Sequence, residues 1–189
     1  MDLQTERVTV IKPLNQHSFP SPALSPDGKV IYYLTGGARS IVLHDVASGE
    51  EKEFYRTPQR VEGLAALALS KDGRQFALAL EGGTAGSSVR IVPTVGGDAR
   101  VLVHAEAEPN AIPRFGGVAW TREDRYVLFN RSAEALPRSA AEDIGGLWRV
   151  AVDGREPARR VLPAGNDVWP SIHPDGRRKI GRASCRERV

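Results

Sequence analysis

The chain has 189 residues, 41% of them apolar, enough for one or two small domains, and it contains no run of roughly 18 apolar residues that would cross a membrane. Its formal charge of +3 lies wholly in 179–189, where Lys179, Arg182, Arg186 and Arg188 stand against Glu187. The same stretch holds Cys185, the only cysteine. The rest of the chain is therefore balanced in charge and thiol-free, which excludes a disulfide framework, a cysteine-based metal site and any charge argument for nucleic acid.

In chain order, Met1 to Val10 is polar and alternating, without the apolar centre of a signal peptide. Asp2 to Thr5 and then Glu6 to Leu14 have the pattern of Asp45 to Ser48 and the strand after it, so 1–14 is expected to close a preceding unit. The next unit, 15–58, has a short apolar strand at Ala23-Leu24, the turn Ser25-Pro26-Asp27-Gly28-Lys29, then strands at Val30 to Leu34, Ser40 to Val46 and Glu51 to Arg56. The unit 59–106 repeats this order with Leu64 to Leu69, the turn Ser70-Lys71-Asp72-Gly73-Arg74, Phe76 to Leu80, Ser88 to Val95 and Arg100 to His104. The unit 107–164 has Val118 to Trp120, the turn Thr121-Arg122-Glu123-Asp124-Arg125, Tyr126 to Phe129, an inserted loop over 131–145, Leu147 to Val152 and Arg159 to Leu162. A further unit opens over 165–178 with Val168 to Ile172 and the turn His173-Pro174-Asp175-Gly176-Arg177.

The turns recur at offsets of 45, 51 and 52 residues. Within such a turn Asp bonds the backbone two residues on, Gly supplies a positive φ and Pro presets φ; the second copy lacks Pro, and the third lacks both Pro and Gly. Phe76, Leu78 and Leu80 alternate with Ala77 and Ala79, as in a strand covered on both faces. The fourth strand of each unit is rich in Lys, Arg and Glu, which suits an outer edge that must resist pairing with other chains. A four-stranded antiparallel unit repeated in register predicts an all-β chain, a β-propeller fragment of about three blades with partial blades at both ends; a β-sandwich would not repeat such a unit.

Ser25 to Leu34 and Ile41 to Glu50 resemble the repeat of TolB-like propellers, a WD-like class, and the likeness covers roughly 17–178. Leu24, Leu69 and Ile172 stand where that pattern commonly has an aromatic. The resemblance implies a bacterial, extracytoplasmic propeller of six or more blades that binds a protein or peptide partner without catalysing a reaction. Similar repeats precede the catalytic domain of prolyl-oligopeptidase-like serine peptidases and occur in sensor propellers fused to kinase or DNA-binding modules. A fragment with open ends is expected to be poorly stable or to self-associate. Residues 180–189 resemble the translation of a sequencing-library adapter, and 179–189 is expected to be foreign to the repeat, as a fusion scar is.

The search for chemistry yields no catalytic, cofactor-binding or metal-ligating residue. There is no Gly-x-Ser-x-Gly elbow; Gly86-Ser87-Ser88 falls between two strands with no helix after it. The run Gly82 to Ser87 lacks the lysine of a phosphate loop, and Gly116-Gly117 and Gly145-Gly146 read as strand-entry turns. His17, His44, His104 and His173 are scattered, and Asp27, Asp72 and Asp175 lack the dense carboxylates of a calcium loop. Asn130-Arg131-Ser132 matches a glycosylation acceptor by composition alone, and Trp120, Trp148 and Trp169 are expected in the core. One region stands apart. The loops that share a face with the connections between blades are Gly82 to Ser87, Ala105 to Pro113 and Arg131 to Gly145, the last carrying Arg131, Glu134, Arg138, Glu142 and Asp143. Long loops on a rigid scaffold often carry function, and this face is the expected docking surface, with no nucleic acid and no membrane span.

Overall fold

The computed structural model describes residues 22–35, 39–57, 63–82, 85–107, 112–134, 145–163, 170–172 and 179–180. The expected strand over 6–14, Trp169, the fourth turn and the tail 181–189 lie outside them. Within the described residues the regular structure is β: three four-stranded antiparallel sheets and one two-stranded sheet. Blade one comprises β1 (Ala23–Leu24), β2 (Val30–Thr35), β3 (Ser40–Asp45) and β4 (Glu51–Arg56). Blade two comprises β5 (Gly63–Leu69), β6 (Gln75–Glu81), β7 (Ser87–Pro93) and β8 (Arg100–Ala105). Blade three comprises β9 (Ile112–Trp120), β10 (Tyr126–Glu134), β11 (Gly146–Ala151) and β12 (Arg159–Pro163). In each sheet the spatial order follows the chain order. The short pair β13 (Ser171–Ile172) and β14 (Lys179–Ile180) begins a further unit, so Lys179-Ile180 pairs as a second strand.

The first strands of successive units touch one another: β1 meets β5, β5 meets β9 and β9 meets β13. They form the inner edge around which the blades are arranged, with β4, β8 and β12 outermost. Each outer strand is bulged, passing over Phe54, Leu102 and Val161 in the pairing with its neighbour. A bulge bends and twists an edge strand and so spoils it as a template for another chain. Phe54 and Leu102 use the bend to reach into the neighbouring interblade core.

The alternation along β6 explains how blades stack. Phe76, Leu78 and Leu80 face blade one, where Tyr32, Leu34 and Ile41 receive them. The ring of Phe76 meets Tyr32 edge-on at 4.7 Å and Phe54 at 5.3 Å. Ala77 and Ala79 face the other way, and their small size admits Phe115, Phe129 and Trp120 of blade three. Large residues on one face and small ones on the other let identical sheets interdigitate at crystal-like density. Burial of this kind supplies most of the stability, at about 25 cal/mol per Å² of apolar surface removed from water.

Two elements are longer than the sequence pattern indicates. β9 extends back to Ile112 and β10 runs on to Glu134, and the two stay paired to their ends. The inserted loop therefore begins after Glu134, and 135–144 lie outside the described residues. Gly116-Gly117, expected at a strand entry, sits inside β9, where Gly117 (φ +24°) is the extra residue of a bulge opposite Phe129 and Asn130. The longer pairing carries backbone hydrogen bonds through polar residues that hydrophobic patterning cannot register.

Candidate functional site

The two ends of the blades have different chemistry. At one end lie the repeat turns. Ser25 Oγ donates to Asp27 Oδ1 at 2.6 Å and accepts from Val30 N at 2.9 Å, and Lys29 N donates to Asp27 Oδ1 at 3.1 Å. Blade two reproduces this with Ser70, Asp72, Arg74 N and Gln75 N. These contacts lower the pKa of both carboxylates: Asp27 chiefly through the Ser25 hydroxyl, Asp72 chiefly through Ser70. In blade three Thr121 Oγ1 accepts from Tyr126 N at 3.1 Å, and Asp124 takes the glycine position at φ +53°, matching +72° at Gly28 and Gly73. Asp tolerates this left-handed backbone better than most residues. Its carboxylate reaches blade two and accepts from Lys71 N at 3.0 Å and Asp72 N at 3.3 Å.

A cleft of about 340 Å³ opens at this end between Arg100, Asp124, Tyr126 and Glu156. Its polar groups are engaged with one another. Arg100 Nη2 donates to Val152 O at 2.5 Å, Tyr126 Oη donates to Glu156 Oε1 at 3.1 Å, and Arg149 lies 4.9 Å over the Tyr126 ring. The cleft is part of the joint between blades.

The opposite, loop-bearing end differs where blades two and three meet. Ser87, at the start of β7, donates through Oγ to Pro113 O of β9 at 2.6 Å. Glu81, the last residue of β6, accepts from Arg114 of β9 at 3.2 Å. Both bonds cross between blades. Beside them Arg131 of β10 lays its guanidinium 5.2 Å over the ring of Trp148 on β11. Arg131 is half-buried, its Nε is sealed from water, and that atom has no hydrogen-bond partner in the structure. Burial lowers its pKa without bringing it near neutrality.

Comparison with blade two sets Arg131 apart; blade one has the exposed Thr35 at this position. β6 pairs Leu80 with Leu64 and Ser88, and β10 pairs Arg131 with Phe115 and Gly146. By register Arg131 holds the position of Leu80, which is 1% exposed in an apolar interface. Composition hides this, whereas counting ten places on from Ser70 and from Thr121 reveals it. Trp120 lies in the core as expected, its indole N–H donating to Ala68 O of blade two at 2.9 Å. Trp148, expected there too, is partly buried and packs against the same core while its ring lies under Arg131. Arg138, Glu142 and Asp143 lie outside the described residues.

The histidines do not converge. His104 is exposed on β8, whereas His44 is buried on β3, its Nδ1 3.2 Å from Glu51 Oε1. His17 and His173 lie outside the described residues. Among the described residues no three metal-ligating side chains gather.

No family profile matches the sequence, and no curated protein does. Solved structures do match in shape. TolB from Acinetobacter baumannii superposes with a TM-score of 0.64 at 16% identity, over 86% of this chain and 37% of that one. The fold is that of a TolB-like β-propeller. An oligogalacturonate lyase in complex with manganese gives 0.63 at 18% identity, over 82% of this chain and 44% of the lyase. A prolyl endopeptidase gives 0.55 at 16%, over 91% and 26%. The chain thus spans less than half the length of each of these proteins, which share its fold across differing activities.

Proposed function

We propose that this chain is part of a non-enzymatic interaction scaffold, whose loop-bearing rim between blades two and three docks a protein or peptide segment. One observation carries the reading: at that rim polar and aromatic side chains stand at the blade joint where Leu80 stands in blade two, while the turn end has its polar groups engaged with one another. Buried aromatic and arginine anchors are the side chains that dominate protein interfaces. The propeller of a larger enzyme is the second reading, favoured by the likeness to the lyase and peptidase folds; it requires catalytic residues outside the described ones.

The test is selection of a random-peptide display library on the immobilised full chain. Enriched peptides should lose binding to Trp148→Ala and keep it with Lys71→Ala and Arg125→Ala at the turn end. No enrichment over a blank surface, or loss confined to the turn-end variants, would reject the rim.

A further inference from the structure

We infer that Arg131, stacked on Trp148, is the anchor for a carboxylate on the docked segment, so that the rim selects acidic peptides. This rests on the rim being the docking face. Blade two has the buried Leu80 at the equivalent position and blade one the exposed Thr35, so an apolar residue in place of Arg131 would extend the interface as Leu80 does. A guanidinium in its place leaves Nε buried without a partner, a cost of the kind that native structures rarely keep without a use. The neighbouring cation, Arg114, whose Nε is buried without a hydrogen bond as well, already has the Glu81 carboxylate, and none of the hydrogen bonds or ion pairs found among the described residues neutralises Arg131.

Stacking on an indole holds the guanidinium plane without consuming its N–H groups. The sealed Nε faces inward, so an incoming anion meets the terminal amino groups. A carboxylate fits these two donors with two parallel hydrogen bonds, whereas a neutral amide supplies only one acceptor oxygen and no charge. Partial desolvation of the site strengthens the attraction beyond that of an exposed arginine.

Titration of the full chain with glutarate, glutaramide and inorganic phosphate tests this, read by NMR at the Trp148 indole N–H and the Arg131 Nε–H. Trp148→Phe assigns the indole signal. Glutarate should shift both signals saturably and glutaramide should not. Arg131→Gln should weaken the glutarate response by at least ~10-fold, and Arg131→Lys, which keeps the charge and loses the planar fork, by nearly as much. Arg131→Met supplies the apolar character that Leu80 has in blade two and should melt no lower than the parent, which separates lost binding from lost folding. Tighter response to phosphate than to glutarate would overturn the carboxylate assignment. So would no saturable shift, or one that survives Arg131→Gln. Library peptides that bind the rim but lack acidic residues and ignore Arg131→Gln would overturn the inference and leave the scaffold reading intact.

Discussion

The turn end and the loop end of these blades are built from the same strands and answer to different demands. At the turn end each of the three blades closes its own hydrogen bonds, and the turns of blades one and three both meet that of blade two. Pro26 of blade one packs against Gly73 of blade two, and Asp124 of blade three bonds to Lys71 N and Asp72 N. At the loop end the same joint between blades two and three carries an ion pair, a cation stacked on an indole and a buried Nε without a partner. Regularity marks where the fold is held, and departure from it marks where the molecule can act on something else. If the two ends divide in this way, substitutions at the turn end should cost stability, and those at the loop end should cost binding.

The largest stability effect should come from Trp120→Ala. It removes an indole that is 7% exposed, and with it the hydrogen bond to Ala68 O. A loss of about 3–5 kcal/mol is expected in urea unfolding. Trp120→Phe keeps most of the packing but strands the carbonyl, for a loss of about 1–3 kcal/mol. A Trp120→Ala chain as stable as Trp148→Ala would erase the distinction between the two tryptophans.

Next come the two turn glycines, which share one φ and differ in surroundings. Alanine at Gly28 meets open space, so Gly28→Ala carries only the left-handed backbone cost, about 1–2 kcal/mol. Alanine at Gly73 meets the same cost and also brings its Cβ to 2.9 Å from Pro26 Cδ. Gly73→Ala should therefore unfold at lower denaturant than Gly28→Ala, and Pro26→Ala should narrow the gap. Equal midpoints would mean that the contact between the turns carries no energy.

Asp124 sharpens the same point with a smaller effect. Asp124→Gly keeps the backbone and loses the clamp on blade two, whereas Asp124→Ala loses both. The glycine variant should lose about 1 kcal/mol and the alanine variant more. If Asp124→Gly is instead more stable than the parent, the carboxylate is not a clamp.

Much of this is legible in the sequence, and the reasons are local. The serine, aspartate and glycine of each turn specify their own geometry, and the alternation from Phe76 to Leu80 states that both faces of β6 are covered. The bulges at Phe54, Leu102 and Val161 are not legible, because a bulge is a property of pairing and leaves no fixed residue type behind. The rim is half legible. Length marks the loops, but Arg131 reads as part of the insertion because a cation looks like loop, and only the register with Phe115 and Gly146 shows it at a core position. Trp148 reads as core on residue type, which cannot report that its neighbour on the next strand is a guanidinium.

The smallest effect is the dependence on acid, which the turn end carries and the rim does not. Asp45 is held below its ordinary pKa chiefly by the Ser48 amide, as Asp27 is by Ser25 and Asp72 by Ser70. A carboxylate whose pKa is lower folded than unfolded contributes stability that is complete above the unfolded value, about 3.9, and disappears as pH falls through the folded one. Stability should hold level from neutrality to roughly pH 5 and decline below about pH 4. All three groups are exposed, so each share is small and shrinks in salt. Asp27→Ala and Asp72→Ala should each flatten the decline slightly. Arg131 stays charged throughout and contributes no slope. A rim variant such as Arg131→Met should therefore shift the whole curve without changing its shape, and a changed slope below about pH 4 in that variant would show that the two ends are electrostatically coupled.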